Sequence, residues 1–204
     1  MPAASGRICE VEDGSMKDAL RIRRIGEGLV FLVLFCLTIP AANWLIGNAG
    51  TVCAPSGPCL IPVAAGLMAP SGVTMIGIAL VLRDLVQRRL GVGVSAIAVL
   101  AGALLSALVA PPALVVASAA AFLLSEFADL AVYTPLARRG LVGAVVASSS
   151  VGLVVDSIVF LWFAFGSLEF LLGQVVGKAW MVLLSIPLIW WLRRRDERVG
   201  LAPA

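Results

Sequence analysis

Two long stretches without a charged residue dominate the pattern of hydrophobic and polar positions, at residues 28–82 and 90–125. A membrane-spanning helix needs about 20 apolar residues, so each stretch is long enough for more than one span. Turn-forming segments divide the apolar regions: NAGTVCAPSGPC, the Pro111-Pro112 pair and Gly166-Ser167. The predicted spans are residues 29–47, 60–82, 92–110, 112–133, 141–165 and 170–192.

The composition agrees with this pattern. Hydrophobic residues make up 61% and charged residues 13% of the 204-residue chain, and the mean hydropathy is +1.05. Such a chain has too little polar surface to cover a soluble globule. We therefore predict an all-α integral membrane protein, a six-transmembrane-helix bundle whose first partner is the lipid bilayer.

Arginines are distributed unevenly between the connections, and this distribution predicts the orientation. They precede span 1 and follow spans 2, 4 and 6, whereas the other three connections contain no Lys or Arg. The positive-inside rule then places both termini in the cytoplasm. The predicted parts are a cytoplasmic tail at 1–28, the six-helix domain at 29–192 and a short basic cytoplasmic tail at 193–204. The net charge of +3 thus reflects topology and argues against nucleic-acid binding.

The N-terminal segment differs from a cleaved signal peptide. Its first 28 residues carry charges of both signs, and the apolar run that follows is longer than a signal-peptide core. We expect span 1 to be retained.

The four cysteines fall into three predicted environments. Cys9 is expected in the cytoplasm and Cys36 within span 1, while Cys53 and Cys59 share the first external loop. A disulfide can persist on that side of the membrane, so a bridge between these two is one interpretation. Two small buried thiols are the alternative. Their spacing, without a histidine, argues against zinc.

The chain contains no histidine, which removes the usual general base and any histidine-ligated metal site. An enzyme would need a pair such as Lys178 with Ser148, Ser149 or Ser150, and nothing in the spacing brings these together. No Walker motif is present for ATP hydrolysis. We expect neither an enzyme nor a cofactor.

Few ionisable residues lie at membrane depth, and two of them stand in SEFADLAVY near the end of span 4. At ~1.5 Å per residue, Glu126 lies ~21 Å and Asp129 ~26 Å below the outer edge of the ~30 Å core. Charges there cost at least ~2.5 to 3.5 kcal/mol unless they are paired or face water. Glu126, Asp129 and Tyr133 share one helical face, which predicts a site facing an internal cavity. Plain solvation at the interface is the alternative for Asp129.

Two further charges are predicted in the outer half of the membrane. Asp156 lies ~22 Å above the inner edge of span 5, and Lys178 lies ~12 Å below the outer edge of span 6. They can meet across a substrate or as a packing ion pair.

Span 2 contains a different irregularity, because Pro70-Ser71-Gly72 stands in its middle. Proline removes a backbone hydrogen bond, so the span is predicted to be either a broken helix lining a cavity or an ordinary kinked helix. At its end, Arg83 and Gln87 lie one turn apart with Asp84 beside them. Gly173 and Gly177 form a GxxxG packing motif in span 6.

In this order, these segments resemble the vitamin uptake transporter family, which includes the queuosine-precursor transporters. The segments are VLRDLVQRRLG after APSG, LSEFADLAVYTPLARR, SSSVGLVVDSIVFLWFAFGS and GQVVGKAWM, between about residues 62 and 192. The resemblance implies a six-helix protein of the bacterial inner membrane that imports a 7-deazaguanine base such as preQ0 or preQ1. The predicted substrate-binding residues are Arg83, Asp84, Gln87, Glu126, Asp129, Tyr133, Asp156 and Lys178.

A deazaguanine base fits these side chains, because a carboxylate can accept its adjacent ring N–H and amino donors together. Either Glu126 or Asp156 can act as this acceptor. The flat ring would stack on an aromatic side chain. The candidates for stacking are Phe127, Tyr133, Phe163 and Trp180.

Two other functions remain open from sequence. A substrate-capture subunit of an energy-coupling-factor importer has similar size and docks on an ATPase module, whereas a scaffold would not transport at all. The expected partners are therefore the bilayer, a small deazapurine or vitamin-like substrate, and either an ATPase module or further copies in a homo-oligomer.

Overall fold

The computed structural model describes residues 3–53, 58–110 and 112–201, with the side chains of 3–15, 17 and 113 left aside. Long helices form most of it, and a small sheet stands between the first two. The helices are α1 (Ala3–Asn48), α2 (Val73–Leu90), α3 (Val92–Val109), α4 (Val115–Leu136), α5 (Leu141–Phe165) and α6 (Leu171–Val199). The strands are β1 (Val52–Cys53), β2 (Cys59–Ala64) and β3 (Leu67–Pro70), and a 3-10 turn covers Pro112–Leu114.

Five of the described helices are long and apolar enough to cross a membrane. On α3 the large side chains point outward, since Ile97, Leu104 and Leu108 are 68%, 64% and 74% exposed. Its buried face instead carries small residues, among them Ser95 and Gly102. Large apolar side chains outside and small or polar ones inside suit a lipid environment. The chain is an all-α membrane protein apart from its short sheet, as the sequence predicts.

The predicted helix over residues 60–82 is wrong in its first half. Residues 59–70 form an antiparallel hairpin, with β2 in the middle of the sheet order β1-β2-β3. Pro62 cannot donate a helical hydrogen bond, and Gly66 at the turn has φ +72°, a left-handed conformation that glycine adopts readily. The Pro70-Ser71-Gly72 segment is therefore the boundary between strand and helix, and neither a broken nor a kinked helix.

The hairpin is fastened to the helices at several points. Ser71 Oγ donates to the Leu45 carbonyl at 2.7 Å, and Trp180 Nε1 donates to the Val63 carbonyl at 3.1 Å. Gly173 lets α6 approach β3 closely, because a Cβ there would collide with a strand carbonyl. This hairpin end of the bundle is thus closely packed.

A disulfide joins Cys53 and Cys59 across β1 and β2, which confirms the bridge that the sequence leaves open. Cys36 is a free thiol within α1. The side chain of Cys9 lies outside the described residues.

The N-terminal segment and the first span form one helix. α1 runs unbroken from Ala3 through the predicted boundary at residue 28, so no break in the helix separates the predicted tail from the predicted span. Its apolar portion, Asp18–Asn48, is the part suited to a membrane.

Helix α2 occupies the centre, since it contacts each of the other five helices. It ends at Leu90, and Gly91 with φ +89° makes the whole connection to α3. Its charged residues are Arg83, Asp84, Arg88 and Arg89, too many for a typical apolar span. Because neighbouring helices surround α2, Arg83 and Asp84 are fully buried in the bundle.

Candidate functional site

Two groups of polar side chains lie inside the bundle. We call the first the arginine cluster; it consists of Arg83, Asp84, Gln87, Glu126 and Asp129. We call the second the lysine cluster; it consists of Asp156, Ser157, Gln174 and Lys178. All nine side chains are nearly or fully buried.

Arg83 is the centre of the arginine cluster. Its Nη2 lies 2.6 Å from Asp129 Oδ1 and 2.9 Å from Asp84 Oδ1, and its Nε lies 3.3 Å from Glu126 Oε2. Its Nη1 donates to Gln87 Oε1 at 3.0 Å. The planar guanidinium thus binds four side chains from two helices, a geometry that lysine could not reproduce.

Neighbouring residues complete this cluster. Ser148 on α5 donates its hydroxyl to Asp84 Oδ2 at 2.9 Å. The Arg83 guanidinium lies 5.6 Å from the centre of the Tyr133 ring, within range of a cation–π interaction. Gln87 passes the network on by donating to Thr134 Oγ1 at 3.0 Å.

Lys178 is the centre of the lysine cluster. Its Nζ lies 2.6 Å from Asp156 Oδ2, 2.6 Å from Gln174 Oε1 and 2.8 Å from Ser157 Oγ. The three donors of the ammonium group are thus matched by three acceptors. The other Asp156 oxygen has only a long contact, 3.4 Å from Ser125 Oγ.

A narrow cleft opens beside the lysine cluster and encloses about 580 Å³, including the open space at its mouth. Asp156, Gln174 and Lys178 are in its wall, and the aromatic rings of Phe122 and Phe160 face the same space. The remaining lining is mostly apolar and comes from α1, the start of α2 and the region around the 3-10 turn. Apolar walls with a few converging polar groups are typical of small-molecule sites.

A second cavity lies at the opposite, basic end of the bundle, with about 860 Å³ of space including its open mouth. Gln87 and Tyr133 belong both to its wall and to the surroundings of Arg83, and Arg88 and Arg138 stand at its edge. The arginine cluster therefore lies between this cavity and the cleft.

An ion-pair network closes the basic end beside this cavity. Arg89 contacts Glu27 at 3.0 Å and Asp196 at 2.8 Å, and Arg88 contacts Asp196 at 3.0 Å. These pairs join α1, α2 and α6. Nothing in the spacing of the sequence pointed to Glu27 or Asp196.

The structure brings all eight predicted site residues into or against these two clusters. The Asp156–Lys178 contact is as predicted, and so is the shared face of Glu126, Asp129 and Tyr133. The alternative that Asp129 is merely solvated is wrong, because its side chain is fully buried. Packing of α4 against α5 and α2, which no single-helix argument includes, covers it.

The predicted stacking aromatics are not in the cleft. Phe127, Phe163 and Trp180 are 37%, 57% and 49% exposed on the apolar exterior, and Tyr133 lies against Arg83. Phe122 and Phe160 line the cleft instead. The rotation of each helix decides which ring faces inward, and an apolar sequence carries little sign of it.

Gln174, Ser157 and Ser148 are among the polar residues at the clusters that the sequence did not predict. Gln174 precedes Lys178 by one helical turn, so the spacing of four could have indicated their contact. Ser148 contacts Asp84 on α2, and the two residues are 64 positions apart along the chain. Such a long-range contact leaves no periodic signal.

The serine–lysine arrangement considered for an enzyme is not formed. Lys178 contacts Ser157 rather than any of the serines at 148–150, and Ser157 donates its hydroxyl to the Leu153 carbonyl at 2.6 Å. The ammonium group instead pairs with Asp156 Oδ2 at 2.6 Å. Within the described ranges, no three His, Cys, Asp or Glu residues are placed to hold a metal ion.

Comparison with known proteins gives one match. A family model described as "Putative vitamin uptake transporter" matches residues 73–192. No curated protein and no solved structure matches the chain. The matched range begins with α2 and contains every residue of the arginine and lysine clusters.

Proposed function

The chain belongs to the vitamin uptake transporter family, since the match covers more than half of it, and we propose that it imports a 7-deazaguanine precursor of queuosine. The family supports uptake of a vitamin or similar nutrient across a membrane, and the multi-pass helical structure agrees with that role. The substrate class and the binding site are our proposals. The protein would act in the bacterial inner membrane.

One observation carries the proposal: the lysine cluster forms the polar part of an otherwise largely apolar cleft. Asp156 Oδ2 is engaged by Lys178, while its Oδ1 has only the 3.4 Å contact with Ser125. Such a long hydrogen bond is weak, so Oδ1 is available to accept a ring N–H or amino donor. The amide nitrogen of Gln174, whose oxygen accepts from Lys178, can donate to a carbonyl oxygen on the same edge of the ring.

This arrangement favours Asp156 over Glu126 as the carboxylate that recognises the base. Asp156 lines the cleft, whereas Glu126 is 1% exposed and pairs with Arg83. The flat ring would lie against Phe122 or Phe160. Stacking of a base on an aromatic side chain contributes about 1 to 3 kcal/mol in nucleic-acid complexes.

We further propose that α2 is a sixth crossing and that both termini are cytoplasmic. The basic end of the bundle carries the arginines in the last turn of α2, those that follow α4 and those at the end of α6, which supports this orientation. The disulfide-bearing hairpin then faces outward, as expected in an oxidising compartment. The cleft beside the hairpin end would receive substrate from outside.

An uptake assay tests the proposal in host cells that lack their own uptake of queuosine precursors and express this protein as their only transporter for them. Radiolabelled preQ0, preQ1 and a panel of vitamins are supplied, and initial rates are measured. We expect uptake of the deazaguanines. Uptake of a vitamin without uptake of either deazaguanine would refute the substrate assignment. Uptake that occurs only when an ATPase module is also expressed would favour a substrate-capture subunit.

A pair of phenylalanine variants locates the site. Phe160→Leu removes a ring from the cleft and should raise the KM about fivefold or more, as loss of at least ~1 kcal/mol of stacking predicts. Phe163→Leu makes the same change on a side chain that is 57% exposed on the exterior, so its KM should be that of the unmodified protein. Equal KM values for the two variants would place the substrate elsewhere.

A further inference from the structure

The arginine cluster contains more acid than its single cation can neutralise. Arg83 contacts the carboxylates of Asp84, Glu126 and Asp129 at 2.9, 3.3 and 2.6 Å. If all three were ionised, the cluster would carry an excess of two negative charges. Like charges that share a buried site favour protonation of one of them, and uncompensated charge at membrane depth is costly.

The geometry indicates which carboxyl carries the proton. The Arg83 nitrogens lie within 3.3 Å of Glu126, of Gln87 and of the facing Oδ1 atoms of Asp84 and Asp129. Among the described residues, Asp84 Oδ1 and both Asp129 oxygens are fully buried without a hydrogen bond, and the closest contacts of Arg83 are to the two Oδ1 atoms rather than to Asp129 Oδ2. An ionised oxygen without a donor is the most unfavourable arrangement, whereas a protonated one needs no donor.

Two neighbours on α5 support this assignment. Ser148 Oγ lies 2.9 Å from Asp84 Oδ2, and its single hydroxyl proton can serve only one carboxylate at a time. Gly152 faces the Asp129 carboxyl without a side chain, and a Cβ there would lie only 3.4 Å from Oδ2. The missing side chain of Gly152 thus leaves room for the Asp129 carboxyl group between α4 and α5.

The other ionisable groups near Asp129 come from four helices. Helix α3 carries none in its sequence. Lys178 is neutralised by Asp156 at 2.6 Å, so the lysine cluster adds no net charge. Among the described residues, the ionisable groups on the helices packed around the cluster include Arg83, Asp84 and Arg88 on α2, Glu126 and Tyr133 on α4, Asp156 on α5 and Lys178 on α6.

We propose that the arginine cluster binds one transportable proton, on Asp129, and that this proton drives substrate import. The proposal rests on the proposed transport function and assigns its energy source. A proton fits better than a metal cation, because the guanidinium group already occupies the space between the carboxylates.

Residues next to the arginine cluster connect it with the cleft on one side and with the second cavity on the other. Ser125, which precedes Glu126, contacts Asp156 in the wall of the cleft. Towards the basic end, Gln87 contacts Arg83 and also lines the second cavity. The proton would add to Asp129 from the cleft side and leave to water in the basic-end cavity, which restores the carboxylate for the next cycle.

The proposal is tested in proteoliposomes that contain the full chain and a trapped pH dye. Radiolabelled preQ0 is the substrate. Counterflow, the exchange of labelled for unlabelled substrate, needs no driving ion and tests transport itself. An alkaline interior should then drive accumulation of about tenfold per pH unit for one proton per substrate, with proton entry seen by the dye. A sodium gradient should drive none.

Asp129→Asn mimics the protonated carboxyl and should retain counterflow while losing accumulation and proton entry. Glu169→Gln, the same chemical change at an exposed position, should retain all three. Absence of counterflow in the unmodified protein would overturn the transport function and this inference with it. Where counterflow is present, three results would overturn the inference alone: substrate uptake under the pH gradient without proton entry, accumulation driven by sodium, or gradient-driven accumulation in Asp129→Asn.

If Asp129→Asn does not fold, the dye measurement on the unmodified protein still decides the point. Substrate uptake accompanied by acidification supports the proton, and uptake without acidification refutes it.

Discussion

Variants of the Asp156–Lys178 pair distinguish a substrate-binding role from a packing role. The two residues are replaced one at a time and then together. The variants are Asp156→Asn, Lys178→Met and the double variant. Both side chains are buried, at 7% and 1% side-chain exposure, and their charged atoms lie 2.6 Å apart. Removing one partner of a buried ion pair typically costs about 3 to 5 kcal/mol, because the other charge is left uncompensated.

The surroundings set the magnitude for each single variant. In Asp156→Asn, Lys178 keeps acceptors from Gln174 and Ser157 at 2.6 and 2.8 Å, so we expect a loss near the lower end, about 3 kcal/mol. In Lys178→Met, Asp156 keeps only the 3.4 Å contact with Ser125, so we expect a loss near the upper end, about 5 kcal/mol. Both single variants should give lower membrane yield.

The double variant removes both charges and should recover yield and thermal stability in detergent, since replacing a whole buried pair is often neutral or stabilising. If the pair binds substrate, the double variant folds and does not transport. The assays are membrane yield, melting in detergent and initial uptake rate, taken on the same preparations. Uptake at the unmodified rate in the double variant would refute our placement of the site and leave the pair a packing contact.

Three further predictions concern topology, redox state and packing. In a protein whose native cysteines have been replaced, a cysteine at Ser167 should react with an impermeant thiol reagent in intact cells, and one at Gly140 should react only after lysis; external labelling at Gly140 would contradict the orientation. Cys53 and Cys59 should resist alkylation under denaturing conditions until a reductant is added, whereas immediate alkylation would contradict the bridge. Gly173→Ala places a Cβ against a β3 carbonyl and should destabilise the protein by about 1 to 3 kcal/mol; unchanged melting in detergent would contradict this contact.

The sequence alone determined the class of this protein and where most of its helices lie along the chain. Apolar runs long enough to span a membrane are recognisable without structure, because transfer into lipid depends on composition and length. The predicted span over residues 141–165 coincides with α5. The sequence also predicted which charged side chains lie inside the bundle, because a charge at membrane depth must be paired or face water and so stands out wherever it occurs.

The hairpin was decided by local chemistry that hydropathy does not measure. Residues 59–70 are as apolar as a helix, yet Pro62, the turn at Gly66 and the Cys53–Cys59 bridge favour paired strands. The helix that follows was therefore displaced towards the C-terminus and carries Arg83 in its interior. The sequence contained these signals, but the length of the apolar run outweighed them in the prediction.

Only the tertiary structure decided which polar residues meet. Asp156 and Lys178 line a cleft, while Glu126 and Asp129 enclose Arg83 away from it, although all four are charges at membrane depth. In lipid the outside of a helix is as apolar as its inside, so periodicity gives little information about its rotation. That rotation is set by close approaches such as α2 to α6 at Gly77, which depend on every neighbouring helix at once.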